Sequence, residues 1–222
     1  MHPIQSKIKE GEHQRQDFKF RVDDAHKIAI TLVAFANTDG GRLLVGVKDN
    51  GKIAGVRTSE EWHVIEGAAD LYCDPPVEVE AHRWEVDGVE VLEVEVRPRG
   101  RKVHKAQDKE GRWWAYFRNA DRNLKAHIVQ IAQWQEDERP RGSLIELQPE
   151  EKHVLEMLRT KNLQLNEIQR AVGMPRRALV SYLAHLMWWG LIALDYEGER
   201  PNHWRFHLIK SHSRTNSESE HQ

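Results

Sequence analysis

Cysteine is almost absent from this chain, since Cys73 is its only one among 222 residues. A single thiol cannot form a disulfide within the chain, nor can it supply a zinc site built from several thiolates. Such usage is typical of a reducing compartment. We therefore expect a cytoplasmic protein whose stability comes from packing and not from cross-links.

Long apolar runs are also missing. No stretch approaches the roughly 18 residues that a membrane-spanning helix requires. The polar start MHPIQSKIKEGE has none of the apolar core of a signal peptide. We therefore expect a soluble chain with no membrane partner.

Glycines at fixed positions organise the most informative stretch, AFANTDGGRLLVGVKDNGKIAGV, which runs from Ala34 to Val56. The residues just before it are apolar on nearly every side, which is typical of a buried helix. Gly40 and Gly41 can end this helix and let the next strand come close. Asp49-Asn50-Gly51 is a sequence that tight hairpins prefer. The pattern therefore predicts a helix at 26–37 and hairpin strands at 43–47 and 53–56.

This unit resembles the Schlafen/AlbA-like DNA-binding domain of bacterial regulators and Schlafen proteins. Two further motifs carry the resemblance. EGEHQRQDFKF at 10–20 has two acidic residues five apart before Phe-Lys, and GRWWAYFRNADRN at 111–123 is similar to the family's late strand, which ends in an arginine, here Arg118. The motifs follow the expected order over roughly the first three fifths of the chain. The resemblance implies an α+β fold and a nucleic-acid partner, either DNA or RNA.

The length of the chain suits two small domains, since domains commonly hold about 100 to 200 residues. We predict a Schlafen/AlbA-like domain at 1–135, a linker at 136–148, a second domain at 149–210 and a polar, disordered tail at 211–222. Within the first domain, the patterns predict a helix at 60–71, hairpin strands at 77–86 and 89–96, a strand at 113–117 and a closing helix at 124–135.

The second domain has the pattern of three helices followed by a β-hairpin. Pro149 begins the first helix, and Gly173 ends the second. This order resembles a winged helix-turn-helix, whose third helix enters the major groove of DNA. Basic and acidic residues nearly balance here, so docking of a protein through Trp188 and Trp189 is an equal alternative. The candidate base-contacting residues are Arg176, Arg177 and Ser181.

Positive charge is concentrated between residues 97 and 125. The whole chain holds 33 basic and 35 acidic residues, for a formal net charge of -2, whereas this segment holds ten basic and three acidic ones. Neighbouring aromatics suit bases stacked along a phosphate track. Because strand side chains alternate, we expect Trp114 and Tyr116 to form an exposed platform. A solvated loop beside a half-buried strand is the alternative. The candidate nucleic-acid-binding residues are Lys19, Arg97, Arg99, Arg101, Lys102, Lys105, Trp114, Tyr116 and Arg118.

Three carboxylates raise an enzymatic alternative. Some Schlafen proteins resemble metal-dependent ribonucleases, and Glu12, Asp17 and Asp49 fall where that resemblance places their acidic groups. Such oxygens would hold Mg²⁺ or Mn²⁺ to activate water or clamp a phosphate. However, Asp17 stands where glutamate is more usual, and Asp49 suits a hairpin turn. A charged surface, with Lys19 as an ion-pair partner and no required cofactor, is the favoured interpretation.

The segment GVKDNGKI at 46–53 matches seven positions of the phosphate-binding pattern GxxxxGK[ST], but Ile53 replaces the hydroxyl residue and no helix follows. It does not support ATP binding. The leading hypothesis is a nucleic-acid-binding transcriptional regulator that acts on DNA without catalysis. The alternatives are a Mg²⁺- or Mn²⁺-dependent endoribonuclease and a protein-docking module. Because Schlafen cores resemble two lobes side by side, a one-lobed chain could form a homodimer.

Overall fold

The computed structural model describes residues 2–56, 60–136, 146–198 and 200–209. The chain divides into two compact units, Met1–Glu138 and Arg139–Gln222. Most of the predicted linker and the whole predicted tail lie outside the described residues. Within the described ranges, no helix combines the length and the apolar character needed to cross a bilayer.

The first unit mixes helices and strands, as the α+β prediction requires. Its helices are α1 (Pro3–Lys9), α2 (Ala25–Ala36), α3 (Glu60–Leu71) and α4 (Ile128–Glu136). Its strands are β1 (Gln16–Lys19), β2 (Gly41–Val45), β3 (Cys73–Asp74), β4 (Val79–Val86), β5 (Val89–Val96), β6 (Lys105–Gln107), β7 (Trp113–Trp114), β8 (Tyr116–Asn119) and β9 (Arg122–Lys125). The largest sheet has the order β1-β2-β5-β4, in which only β1 and β2 are parallel.

Each face of this four-stranded sheet carries its own apolar cluster, because side chains alternate along a strand. On one face, Leu43 of β2 packs in the cluster that contains Leu32 of α2. On the other face, Leu44 packs with Ile4 and Ile8 of α1. The sequence patterns did not predict α1, which covers part of this second face.

The helix predicted at 26–37 is confirmed as α2, shifted by one residue. It begins after Asp24, whose side chain accepts a hydrogen bond from the backbone N–H of Lys27 at 3.2 Å. Gly41 lets β2 approach this helix, because a Cβ at that position would lie 2.5 Å from the Phe35 ring. The predicted helix at 60–71 and the predicted hairpin at 77–96 are confirmed as α3 and β4–β5.

The hairpin predicted after β2 forms its turn but not its second strand. Val47 and Ile53 form an isolated antiparallel bridge, and Ala54 and Gly55 donate backbone hydrogen bonds to the Gly46 carbonyl. Among the described residues, no strand is present at 53–56, and β2 instead pairs with β1 and β5, which are distant in sequence. The local turn signal is therefore confirmed, whereas the strand predicted after it is wrong.

Two predictions near the end of the first unit also need correction. The strand predicted at 113–117 is interrupted at Ala115, and β7 and β8 belong to different sheets. The helix predicted at 124–135 begins only at Ile128, because Leu124 pairs with Phe117 in the β8–β9 hairpin. Pairing with a neighbouring strand thus decides the conformation of residues 122–125.

The second unit contains three helices and a three-stranded antiparallel sheet. The helices are α5 (Pro149–Thr160), α6 (Leu165–Val172) and α7 (Arg176–Trp188), and the strands are β10 (Leu163–Gln164), β11 (Ile192–Asp195) and β12 (Arg205–Leu208). The sheet order is β10-β12-β11. Gly173, with φ 65°, ends α6 in the left-handed conformation, three residues before α7. The short strand β10 is absent from the sequence prediction.

Candidate nucleic-acid interface and carboxylate pair

Arg118 is the centre of a buried polar network in the first unit. It is 2% exposed, and β8 directs its side chain inward. Its Nη1 donates to Asp17 Oδ1 at 3.1 Å and to Asn123 Oδ1 at 2.9 Å, and its Nη2 donates to the carbonyl of Gln16 at 3.1 Å. The assignment of Arg118 as a nucleic-acid contact is therefore corrected, because a phosphate cannot reach a guanidinium that is enclosed and hydrogen-bonded.

Glu12 and Asp17 form a carboxylate pair beside this network. Glu12 Oε1 accepts a hydrogen bond from the Phe18 N–H at 2.9 Å, while the buried Asp17 pairs with both Arg118 and Lys19. Burial raises the pKa of Glu12; the Phe18 hydrogen bond opposes this shift, and the charge of Asp17 adds to it. Both cations pair with Asp17, so Lys19 faces Asp17 instead of a ligand.

Asp49 does not join this pair. It is exposed in a turn closed by the hydrogen bond from the Gly51 N–H to the Lys48 carbonyl at 2.7 Å. Across the described ranges, only one group of three potential metal ligands has all its ligand atoms within 4.8 Å of one another, and that group lies elsewhere. The proposed three-carboxylate metal site is therefore not assembled, because the turn carries Asp49 away from β1.

The basic segment separates into exposed and paired cations. Arg101, Lys102 and Lys105 are exposed, and none has a carboxylate within 4.0 Å in the part of the chain that the structure describes. Arg97 is also exposed but pairs with Glu80. Arg99 packs over the Trp134 ring of α4, at 5.4 Å from the centroid. Of these five cations, the first three are therefore offered to an external anion.

Two tryptophans form β7, which pairs with β6, the strand that begins at Lys105. Trp113 and Trp114 are each 39% exposed, whereas Tyr116 is only 6% exposed. The predicted Trp114 and Tyr116 platform is wrong, since Ala115 interrupts the strand and strand alternation does not continue across it. The exposed aromatic pair is Trp113 and Trp114, and the sequence reasoning missed Trp113.

The Trp114 indole is held in place on both sides. Its Nε1 donates to Asp108 Oδ2 at 2.9 Å, and Lys125 Nζ lies 4.1 Å from the ring centroid. Burial raises the pKa of Asp108, but hydrogen bonds from Arg112 and from Trp114 outweigh it and hold the pKa well below its usual range. Asp108 is therefore ionised at neutral pH and fixes the ring. The turn sequence DKEG at 108–111 was the available signal for this contact.

We call the resulting patch the β6–β7 surface. It combines exposed aromatic rings with cations that have no ion-pair partner among the residues that the structure describes. A phosphate could approach the cations while a base stacks on a ring. Its members are Arg101, Lys102, Lys105, Trp113, Trp114 and Lys125.

In the second unit, the three candidate residues lie at the start of α7. Arg176, Arg177 and Ser181 are all exposed. Arg176 Nη1 donates to Asn166 Oδ1 of α6 at 2.8 Å, which links the two helices. These side chains are thus accessible to a ligand.

The two tryptophans at the end of α7 are half-buried. Trp189 Nε1 donates to His185 Nε2 at 2.6 Å, and His185 Nδ1 lies 2.6 Å from Glu151 Oε1 of α5. Trp188 packs edge-on against Trp189, with 4.7 Å between ring centroids. These contacts tie the pair to α5 and α7, and so they favour a packing role over an exposed docking patch.

Comparison with known proteins gives one family match. Residues 12–127 match the family described as Schlafen, AlbA_2. No curated protein matches the chain. Two similar solved structures are the DIP2311 protein from Corynebacterium diphtheriae and the N-terminal domain of a protein from Nitrosomonas europaea named as ATP-dependent DNA helicase RecG-related.

Both likenesses are distant. Each solved structure is 20% identical over 65% of this chain, with TM-scores of 0.42 and 0.35, respectively. The match spans 34% of the DIP2311 protein and 94% of the RecG-related domain. The chain therefore spans about a third of the length of the DIP2311 protein.

Proposed function

The chain belongs to the Schlafen, AlbA_2 family, since that match covers more than half of its residues, and from this premise we propose that the first unit binds nucleic acid. The binding site is the β6–β7 surface. The observation that carries the proposal is that Lys105, which has no ion-pair partner among the described residues, lies on the strand that pairs with the exposed Trp113 and Trp114.

The cations of the β6–β7 surface favour phosphate binding because they have no ion-pair partner among the described residues. A surface cation that already pairs with a carboxylate gains less from a phosphate, since it must give up its partner. Arg101, Lys102 and Lys105 have no such partner among the described residues. Each can release a condensed counterion when it contacts a phosphate.

The exposed rings favour unpaired bases as ligands. Trp114 is fixed by Asp108 and Lys125, and Trp113, its neighbour on the same short strand, presents a second ring toward the opposite face. Base stacking on such rings contributes about 1–3 kcal/mol per base and tolerates any sequence. Single-stranded DNA or RNA therefore suits this surface better than an intact duplex.

We also propose that the second unit is a winged helix-turn-helix and that the whole chain is a DNA-binding transcriptional regulator. The order of three helices and an antiparallel sheet supports this proposal, as does the exposure of Arg176, Arg177 and Ser181 on α7. In such a protein, the second unit would read a duplex while the first holds an unpaired strand.

The experiment is a binding titration of the full chain. Fluorescence anisotropy is measured with labelled single-stranded DNA, single-stranded RNA and duplex DNA, at salt concentrations from about 50 to 200 mM. We expect binding that weakens as salt rises and that is tightest for a single strand. No binding to any of the three at the lowest salt would overturn the proposal.

A metal-dependent ribonuclease is the second candidate, and it rests on the proximity of Glu12 to Asp17 alone, since Asp49 does not join them. Its test is incubation of structured RNA with Mn²⁺, using the wild-type chain and Glu12→Gln. Cleavage that needs both Mn²⁺ and Glu12 would support the ribonuclease. RNA that stays intact would leave binding alone as the function.

A further inference from the structure

One face of the four-stranded sheet becomes polar beyond the part that α1 covers. The strand register aligns Arg42 of β2, Glu95 of β5 and Glu80 of β4 in a single row. The adjacent row places Glu93 opposite His82. Because side chains two residues apart on a strand share a face, Glu80 and His82 point to the same side.

Glu80 and Glu95 make an unfavourable pair when no cation is present. Like charges directly opposite each other on neighbouring strands are destabilising. Arg97 pairs with Glu80 from the sheet edge, but its side chain is 73% exposed, so this ion pair contributes little. Glu95 has no ion-pair partner within the described ranges.

His82 adds a third potential metal ligand to the two glutamates. The ligand atoms of Glu80, His82 and Glu95 all lie within 4.8 Å of one another, and no other group of three in the described part of the chain meets this condition. All three residues are exposed, so small rotations about their side-chain bonds can bring the atoms to one ion. A histidine between two carboxylates differs from a purely acidic patch. Zinc binds imidazole nitrogen readily, whereas magnesium and calcium prefer oxygen ligands.

We propose that Glu80, His82 and Glu95 form a binding site for one zinc ion. Three protein ligands would leave a fourth position for water or an external ligand, as in open zinc sites. The two glutamates also line a cavity of about 510 Å³. Its other charged lining residues include Glu10, Glu78, Arg15 and Arg42.

This zinc site is separate from the proposed nucleic-acid surface and from the Glu12 and Asp17 pair. It lies on the β4–β5 hairpin, and neither the binding nor the ribonuclease proposal depends on it. A zinc ion bound there would place a positive charge between the two opposed glutamates. The site therefore stabilises the hairpin as well as offering an open coordination position.

The test is isothermal titration of the full, metal-free chain with ZnCl₂ in a buffer that does not chelate zinc. Loss of even an outer-shell partner commonly costs about tenfold in metal affinity. We therefore expect His82→Ala and Glu95→Gln each to weaken one zinc site by about tenfold or more. Bound zinc should also raise the unfolding temperature of the wild type more than that of these variants.

Two matched controls separate this site from the background of other histidines and glutamates. Glu85→Gln removes a glutamate that also lies directly opposite another one, Glu90, in the same hairpin. His63→Ala removes an exposed histidine beside a single glutamate, Glu66. Both controls should bind zinc like the wild type. Equal zinc isotherms for His82→Ala and His63→Ala would overturn the proposal.

Discussion

Arg118 and Lys105 belong to the same basic segment, but one is a buried ion-pair partner and the other is an exposed surface cation. Arg118 is enclosed and donates to Asp17 and to backbone carbonyls, whereas Lys105 is exposed with no acidic partner in the described residues. The first cation balances a charge that folding has buried. The second adds positive potential at the surface. Net charge counted along a sequence treats these two cations as equal, and burial separates them.

Buried and exposed cations also differ in how much they contribute to the free energy of unfolding. Removing one member of a buried ion pair leaves the other charge unpaired and costs about 3–5 kcal/mol. Removing an exposed cation usually changes stability by less than about 0.5 kcal/mol. Stability measurements and binding measurements should therefore sort the basic residues into two classes.

The largest expected effect is that of Arg118→Met on stability. The substitution should lower the free energy of unfolding by about 3–5 kcal/mol, because Asp17 stays buried and loses one of its two cation partners. Urea denaturation measures the change. Arg122→Met, an exposed arginine in the same hairpin, is the control and should have almost no effect. Adding Asp17→Asn to Arg118→Met should recover part of the lost stability. Equal stability of Arg118→Met and Arg122→Met would contradict the assignment of Arg118 as a buried ion-pair partner.

Next in size is the effect of removing the three exposed cations. Arg101→Ala, Lys102→Ala and Lys105→Ala together should weaken single-strand binding by about 10- to 100-fold and lower the salt slope by about two to three. Unfolding in urea should stay unchanged. The control removes Lys9, Lys52 and Arg83, which are exposed elsewhere in the first unit. If the control weakens binding equally, net charge and not the β6–β7 surface is responsible.

A smaller effect is expected for the rings. Trp113→Ala should weaken single-strand binding by about tenfold, within the range of one lost base stack. Trp113→Phe keeps a flat aromatic face and should retain most of the affinity. Anisotropy titrations at one salt concentration compare the two variants. If both lose binding equally, the indole acts through something other than stacking.

The sequence predicted those features that depend on neighbouring residues. The helix at 26–37 and the hairpin around Asp87-Gly88 follow from local periodicity and turn chemistry, and both are confirmed. That two-residue turn also fixes the register of β4 and β5, so the opposition of Glu80 and Glu95 could have been derived from it. The cluster of cations at 97–125 was visible as composition alone.

The remaining features depend on distant partners. The inward direction of Arg118 is set by residues of the N-terminal segment about a hundred positions away. The separation of β7 from β8 and the burial of Tyr116 likewise depend on sheets that no local pattern encodes. Tertiary pairing of this kind overrides strand alternation and helix signals.

The smallest expected effect concerns Glu12, which lies beside Asp17 but lacks the cation contacts of that residue. Because burial raises the pKa of Glu12 in the fold, the folded state binds its proton more tightly than the unfolded state does. The ionised group therefore costs stability at neutral pH, and this cost disappears below the ordinary glutamate pKa of about 4.3. Glu12→Gln keeps an oxygen for the Phe18 N–H and removes the charge.

We therefore expect Glu12→Gln to raise the urea midpoint slightly at pH 7 and to match the wild type near pH 4. Glu78→Gln, at an exposed glutamate, is the control and should show no such pH dependence. A variant that is less stable than the wild type at pH 7 would mean that a cation, and not a proton, balances Glu12. In that case Glu12 would belong with Asp17, which pairs with Lys19 and Arg118.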